Sequence, residues 1–360
     1  MRALLATAGL LVLAGSAAAA AGPSVHTLRK SADGPIEAIA QDSTLVAWFS
    51  SGDKTCDTVH VLAPGKPDRA FPQPSSGSMT CHWDLSDGQP QLAVAARMSA
   101  ALWTLHESGP APFDYVVAAP IGGPERRVDR LAHASDGTGK WLGGLAGSGR
   151  TLAYSWVDVE YIDKLACLSG GSCAQRIAGG GVSVVSSTST ALLPGADPAV
   201  AIAAAAGRIA YIPAITVGKG GQPATSAGTS IEVVDAVTGG EVSRVTPKGL
   251  PLAVALSPDV LAVLTVNGSH DRILWFDPAD GAKIGSVAIS AQAAPQLTTD
   301  DDYIVYRVGR LLHSVDTGTG RVRTVAKTAP TALGPSLERG ELVWAENTGA
   351  TGRLRELTLP

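Results

Sequence analysis

"YIVYRVGRLLHSVDTGTGRVRTV", residues Tyr303 to Val325, contains three short hydrophobic runs that are separated by two turns. Apolar and polar residues alternate within the runs, which indicates β-strands, and the glycine-containing segments between them indicate tight turns. Similar runs fill most of the chain, which also contains 41 Gly and 23 Pro residues. The sequence therefore predicts an all-β protein with many tight turns.

One turn motif gives the period of the pattern. Residues 230–242, 272–284 and 311–323 each contain a strand, then Asp-x-x-(Thr/Asp)-Gly, then a second strand. The copies recur about every 40 residues, which is the length of one propeller blade. An Asp at the start of a turn accepts backbone N–H groups, and a Gly at its end adopts a positive φ. We therefore expect a structural role for the motif residues, which are Asp235 and Gly239, Asp277 and Gly281, and Asp316 and Gly320.

The period extends to about seven units of four strands. Their ranges are 36–78, 79–127, 128–195, 196–248, 249–290, 291–328 and a last unit from about residue 335. The last unit has three strands, and "SVHTLRK" at 24–30 offers the fourth. We therefore expect a single β-propeller of about seven blades, closed by pairing of the N-terminal strand with the C-terminal blade. Six or eight blades, an open solenoid and a pair of β-sandwiches are the alternatives.

The blade pattern resembles bacterial WD40-like and TolB-type β-propeller repeats. The matching residues are "SPD" at 257–259 and the Asp-x-x-Thr-Gly turns at 235–239 and 316–320. Val260 stands where the TolB-type motif normally continues with Gly. The turns also resemble quinoprotein repeats, but those usually carry a Trp a few residues after the Gly, which this chain lacks. The resemblance implies a propeller fold.

The first residues have the features of a signal peptide. Arg2 precedes an apolar run at residues 3–15, and small residues follow at 16–22. We therefore expect a signal peptide at 1–21, a propeller domain at 22–360, and a periplasmic or extracellular location. The apolar run is too short for a transmembrane helix, so we expect no membrane span after cleavage. The Ala- and Gly-rich composition favours a bacterial source.

An even number of cysteines in an exported chain favours disulfides. Cys167 and Cys173 flank the short segment "LSGGS", and Cys56 and Cys81 then form the other pair. A zinc site is the alternative. Neither pair has C-x2-C spacing, however, and no histidine lies beside them at ligand spacing.

The sequence contains few motifs that carry chemistry. None of the seven histidines belongs to a zinc motif, and no nucleophile elbow or complete phosphate-binding loop is present. We therefore expect no catalytic residue, no metal site and no cofactor. The tetrapeptide "CHWD" falls on the expected inner strand of the second unit, which makes His82, Trp83 and Asp84 possible ligand contacts in the channel. The alternative is a Trp packed between blades. "TTDDDY" at 298–303 suits a solvated turn better than a cation site.

The net charge of −4 and the scattered Lys and Arg residues argue against nucleic acid as a partner. We expect a monomeric, non-catalytic platform that binds a protein, peptide or envelope (cell-wall) component. The alternative is an enzyme, either a polysaccharide lyase or glycoside hydrolase or a quinone-dependent dehydrogenase. An enzyme predicts three or more His, Arg, Asp or Glu side chains that converge at one channel mouth. A stabilising domain without a ligand is a third possibility.

Overall fold

The computed structural model describes residues 24–31, 34–51, 57–63, 68–72, 90–107, 113–121, 123–169, 173–289 and 293–360. These residues form seven four-stranded antiparallel sheets and one two-stranded hairpin. The sheets are arranged as blades in a ring, so the chain folds as a seven-bladed β-propeller. The expectation of an all-β propeller with about seven blades is confirmed.

The blades follow the chain in order, and the first strand of each lies innermost. Blade 1 contains β2 (Ile36–Asp42), β3 (Leu45–Ser50), β4 (Thr58–Leu62) and β5 (Arg69–Pro72). Blade 2 contains β6 (Leu92–Ala95), β7 (Ala100–Glu107), β8 (Phe113–Pro120) and β9 (Arg126–Ala132). Blade 3 contains β10 (Gly139–Ser148), β11 (Thr151–Tyr161), β12 (Gln175–Val185) and β13 (Thr190–Leu192), with helix α1 (Lys164–Leu168) between β11 and β12.

The second half of the ring is more regular. Blade 4 contains β14 (Ala199–Ala205), β15 (Arg208–Pro213), β18 (Ile231–Asp235) and β19 (Glu241–Val245), and it carries the hairpin of β16 (Thr216–Val217) and β17 (Pro223–Ala224). Blade 5 contains β20 (Leu250–Leu256), β21 (Leu261–Asn267), β22 (His270–Phe276) and β23 (Lys283–Ile289). Blade 6 contains β24 (Leu297–Thr299), β25 (Tyr303–Val308), β26 (Leu311–Asp316) and β27 (Val322–Lys327).

Blade 7 closes the ring with strands from both ends of the described chain. It contains β28 (Ala332–Glu338), β29 (Glu341–Thr348), β30 (Thr351–Thr358) and β1 (His26–Lys30). β1 pairs antiparallel with β30, and His26 lies opposite Glu356. The amide of Asn347 also holds both the N–H and the C=O of Ile36, each at 2.8 Å. The predicted closure by the N-terminal strand is therefore confirmed, and it removes two open sheet edges.

The repeated turn motif forms the hydrogen bonds that its sequence predicts. Asp316 Oδ1 accepts the backbone N–H and the hydroxyl of Thr319, both at 2.8 Å, and Gly320 has φ +68°. Asp235 does the same with Thr238. These bonds to the ionised carboxylate lower the pKa values of Asp235 and Asp316. The motif therefore joins the third and fourth strands of a blade, as expected.

The sequence analysis placed the strands of blade 2 one position too far along the blade, so that β6 was predicted as the second strand. The predicted inner strand, 80–88, lies outside the described residues, and the innermost described strand of blade 2 is β6. Inner strands converge on the axis, and β6 supplies the small side chains that this position needs. The fourth strand is β9, which the predicted boundary divided between two units. Cys56, Cys81, His82, Trp83 and Asp84 lie outside the described residues.

An apolar cluster fills each junction between neighbouring blades. Blades 1 and 2 share a cluster that includes Phe49 and Trp103, and blades 7 and 1 share one that includes Trp48 and Val343. The other junctions between neighbouring blades have clusters of the same kind. Each blade therefore buries both faces only when both neighbours are present.

Neighbouring inner strands approach one another most closely at glycines of β10. A Cβ atom on Gly147 would lie 2.3 Å from the carbonyl oxygen of Val94 in blade 2. A Cβ atom on Gly143 would lie 1.8 Å from the carbonyl oxygen of Ala199 in blade 4. Because these neighbours are backbone atoms, they cannot move aside as a side chain would. Glycine at these two positions therefore allows β10 to lie against the inner strands of both neighbouring blades.

Replacing Gly147 with alanine should destabilise the protein by about 1–3 kcal/mol, because overpacking against backbone outweighs the ~0.5–1 kcal/mol that alanine gains over glycine in a strand. The matched control is Gly179→Ala in β12, where nothing lies within 4 Å of an added Cβ. That variant should be as stable as the parent or slightly more so. Urea unfolding of the three proteins measures the difference. Equal loss in both variants would contradict the close approach.

Candidate functional site

The innermost strands enclose a central channel with a volume of about 1140 Å³. The wall is formed mainly by small and apolar residues, such as Ala93, Val94 and Ala203. At one end, the turns between the first and second strands of the blades form an opening, which we call the mouth. Its charged lining residues are Asp42, Arg97, Arg150, Asp300, Asp301, Asp302, Glu338 and Arg339.

Asp42 joins blade 1 to the next two blades. Its Oδ2 atom accepts the backbone N–H of Ala96 in blade 2 at 2.5 Å and that of Gly149 in blade 3 at 2.7 Å. The side chain is 4% exposed. Hydrogen bonds that involve a charged acceptor are about twice as strong as neutral ones, so Asp42 fixes the relative positions of three blades.

Asp300 shapes its own turn and joins blade 6 to blade 7. Oδ1 accepts the N–H groups of Asp302 at 3.0 Å and Tyr303 at 2.7 Å, and Oδ2 accepts that of Gly340 at 2.7 Å. Burial raises the pKa of Asp300 above its ordinary value, and the three N–H groups oppose that shift. The turn lies between β24 and β25, and this partly buried carboxylate accepts three backbone N–H groups.

Two further carboxylates make the same kind of contact. Asp301 Oδ1 accepts the N–H of Asp259 in blade 5 at 3.0 Å. Glu338 in blade 7 lies near the backbone N–H of Ser43 in blade 1, which favours the charged form of its carboxyl. Burial, and then the nearby charge of Asp42, raise the pKa of Glu338. We call Asp42, Asp300, Asp301 and Glu338 the latch carboxylates, because each holds an amide of another blade.

The latch carboxylates account for the acidic character of the mouth. The enzyme hypothesis predicted converging ionisable groups, and Asp42, Asp300 and Glu338 do converge. Their oxygens, however, accept N–H groups of other blades, and structural networks of this kind also shift pKa values. Within the described residues, no group of three or more His, Cys, Asp or Glu side chains is arranged to hold a metal ion. The described mouth therefore gives the enzyme hypothesis no support.

The exposed charges of the mouth are mostly grouped by sign, and Arg339 of blade 7 is an exposed cation beside the acidic blade 6. Arg97 and Arg150 are exposed on the adjacent turns of blades 2 and 3, where the N–H of Arg97 donates to Gly149 O at 2.9 Å. Asp259 and Asp302 are exposed on blades 5 and 6, across the ring. The guanidinium groups of Arg97 and Arg150 form no hydrogen bond or ion pair with another part of the described chain. Apart from Arg339, which lies 3.7 Å from Glu338, the rim therefore presents a basic side and an acidic side to solvent.

The structure tests only part of the sequence-predicted site. Cys167 and Cys173 form a disulfide with Cα atoms 4.5 Å apart, which links the end of α1 to the segment before β12. The sequence analysis missed Asp42 and Glu338. Both residues share a position that can be recognised in the sequence. Each is the acidic last residue of an inner strand, directly before the turn to the second strand.

Comparisons with known proteins support the fold. No protein-family model matches the chain, and no curated protein matches its sequence. The β-propeller domain of the Trilobed protease from Pyrococcus furiosus is 10% identical, with a TM-score of 0.51, and the alignment covers 91% of this chain and 93% of that one. A chain of the Mitotic Checkpoint Complex is 11% identical, with a TM-score of 0.51 and 100% of both chains covered. At these identities the similarity shows the fold alone, which is that of a β-propeller.

No helix among the described residues has both the length and the apolar character that crossing a bilayer requires. The longest described helix, α1, has five residues and lies in the insertion of blade 3.

The raised pKa of Glu338 predicts a pH-dependent effect of Glu338→Gln. A raised folded pKa means that the carboxyl stabilises the fold when protonated and that this contribution is lost as pH rises through the folded pKa. Glutamine keeps an oxygen for the Ser43 N–H and carries no charge. The variant should therefore gain stability relative to the parent between pH 4.5 and pH 7, as measured by urea unfolding at both pH values.

The control is Glu341→Gln, which removes an exposed carboxylate three residues further along the chain. A difference between Glu338→Gln and the parent that shrinks as pH rises would contradict the burial of the Glu338 carboxylate.

Proposed function

We propose that the chain is an exported, non-catalytic binding platform that holds a protein, peptide or envelope component at the channel mouth. The observation that carries the proposal is the exposed rim, with Arg97 and Arg150 on one side and Asp259 and Asp302 across the ring. Charges separated in this way attract a partner with the opposite arrangement and also fix its orientation.

The latch carboxylates make this rim suitable for binding. Asp42 and Asp300 hold the turns of neighbouring blades together, so the exposed charges sit on short, anchored turns. The turns of the rim are already ordered before a partner binds. Binding therefore costs little loss of loop conformational entropy. The fold neighbour in the Mitotic Checkpoint Complex comes from a protein assembly, which is compatible with a protein as the partner.

Export is part of the proposal. Residues 1–21 have the composition of a signal peptide, and the Cys167–Cys173 disulfide suits an oxidising compartment such as a bacterial periplasm. We propose Cys56–Cys81 as a second disulfide. His82, Trp83 and Asp84 remain candidate ligand contacts on sequence grounds.

Expression of the full chain in a secreting bacterial host should yield a product that begins close to residue 22. Intact-mass measurement and N-terminal sequencing of the periplasmic fraction determine this start. A product that retains residues 1–21 and stays in the cytoplasm would be evidence against export.

The double charge reversal Arg97→Glu/Arg150→Glu should remove binding at the mouth. The experiment uses residues 22–360 as bait against the native envelope fraction, with quantitative mass spectrometry of the captured proteins. The parent should retain a specific partner at low salt and lose it progressively as salt rises, because exposed charges are screened. The double variant should lose that partner by at least about tenfold, which corresponds to ~1.4 kcal/mol.

The matched control is Arg321→Glu/Arg323→Glu, which reverses two exposed charges at the outer edge of blade 6. It should capture the same partner as the parent. If both double variants bind equally well, the rim is not the binding surface. Turnover of a polysaccharide or an alcohol by the purified parent would instead favour an enzyme.

A further inference from the structure

The hairpin of β11 and β12 projects from the face of the ring opposite the mouth. β11 and β12 have 11 residues each, whereas the corresponding strands of blade 5 have 7 each. Since β11 begins at the mouth, directly after Arg150, its four extra residues lie at the far end and extend the hairpin by roughly 13 Å. Residues 162–169, which include α1, lie at that end, and we call them the tip.

The largest side chains of the tip face solvent. Ile162, Leu165 and Leu168 are 61%, 80% and 74% exposed, and their spacing of three residues places them along one side of α1 and the turn before it. The smaller Ala166 and Cys167 are partly buried on the other side. A surface helix normally has the reverse arrangement, because its large apolar side chains pack on the core. The tip therefore presents an apolar side to its surroundings.

Bonds at both ends of α1 fix the direction of this apolar side. At the start of the helix, Asp163 Oδ1 accepts the backbone N–H of Ala166 at 2.8 Å, which is an N-cap bond. At the end, the Cys167–Cys173 disulfide ties the helix to the segment before β12. The exposed side of α1 therefore faces away from the blade as a result of anchored geometry.

Acidic and basic groups around the tip are matched. Glu160 pairs with Arg176 at 2.6 Å. The pKa of Asp136 is lowered, mainly by hydrogen bonds from Thr138 and also by the nearby charge of Lys164. The described residues around the tip therefore carry no strong charge of either sign, and the apolar side dominates the contact that the tip can make.

The adjoining insertion of blade 4 adds an exposed apolar side chain to the same face. Ile215, between β15 and the hairpin of β16 and β17, is 55% exposed. That hairpin packs against β12, because Val217 and Ile177 lie in one apolar cluster. A Cβ atom on Gly221 would lie 2.3 Å from Cα of Gly137 in the loop before β10. The two insertions therefore form one packed unit on the side away from the mouth.

The area of the apolar side distinguishes a lipid partner from a protein partner. Full burial of three aliphatic side chains removes roughly 180–360 Å² of apolar surface from water. A stable protein interface buries about 800 Å² on each partner. A bilayer sets no such minimum, because single side chains insert at the boundary between headgroups and acyl chains. A projecting apolar tip with matched charges therefore suits a lipid surface.

We propose that the chain binds reversibly to the surface of a lipid bilayer through the tip, with Ile162, Leu165 and Leu168 inserted beneath the headgroups. Three aliphatic side chains contain about as many carbons as a single acyl anchor, which gives only marginal, reversible binding. The mouth lies on the opposite face of the ring and stays open to solvent. This contact is independent of the binding proposed for the mouth.

Flotation with vesicles of phosphatidylcholine tests the proposal on the purified chain 22–360. The parent should float with the vesicles at millimolar lipid, with a partition coefficient on the order of 10³–10⁴ M⁻¹. Because the charges around the tip are matched, this coefficient should change by less than about twofold between low and high salt. Leu165→Ser/Leu168→Ser should lower it by more than about tenfold, because serine removes the inserted methyl groups. Circular dichroism and thermal unfolding check that the variant folds.

The matched control is Val237→Ser/Ile284→Ser, which changes two aliphatic side chains of blades 4 and 5 that are 85% and 49% exposed. It should bind vesicles as the parent does. A parent that stays unbound at millimolar lipid overturns the proposal, as does equal binding of the two double variants. If the parent ignores vesicles but the tip variant loses a captured envelope protein, the tip binds protein and the lipid proposal fails. Arg97→Glu/Arg150→Glu should leave vesicle binding unchanged, so failure of this proposal and failure of binding at the mouth are distinguishable.

Discussion

The apolar cluster shared by each pair of neighbouring blades is the contact on which the structure depends. A four-stranded sheet has two faces, and in this ring both are apolar because each meets another blade. Trp48 of blade 1 packs with Val343 of blade 7, and Phe49 on the next position packs with Trp103 of blade 2. Removing any blade would expose two such faces. The pairing of β1 with β30 and the Asn347 contact to Ile36 are consequences of that requirement.

Closing seven sheets around one axis brings the inner strands close together. Small residues such as Gly143 and Gly147 allow the approach. The turns of neighbouring blades then come so near that backbone N–H groups at the mouth are partly removed from water. An unpaired buried N–H costs about 1–3 kcal/mol, so each needs an acceptor. The latch carboxylates supply it, and these acidic residues therefore serve the fold.

The sequence allowed prediction where the physics is local. The Asp316 turn is complete within five residues, so its role followed from residue types and spacing alone. Closure of the ring followed from a count of strands. The inner strand of blade 2 was predicted wrongly, because a unit that starts at residue 79 makes β6 the second strand and divides β9 between two units. The role of Asp42 was not predictable, because its partners Ala96 and Gly149 lie 54 and 107 residues away in the chain.

The mouth and the loop that contains α1 lie on different faces of the ring. The turns of the mouth join first and second strands, whereas the loop that contains α1 joins a second strand to a third, and so it emerges from the opposite face of the ring. The exposed side chains of Ile162, Leu165 and Leu168 in that loop therefore lie away from the mouth.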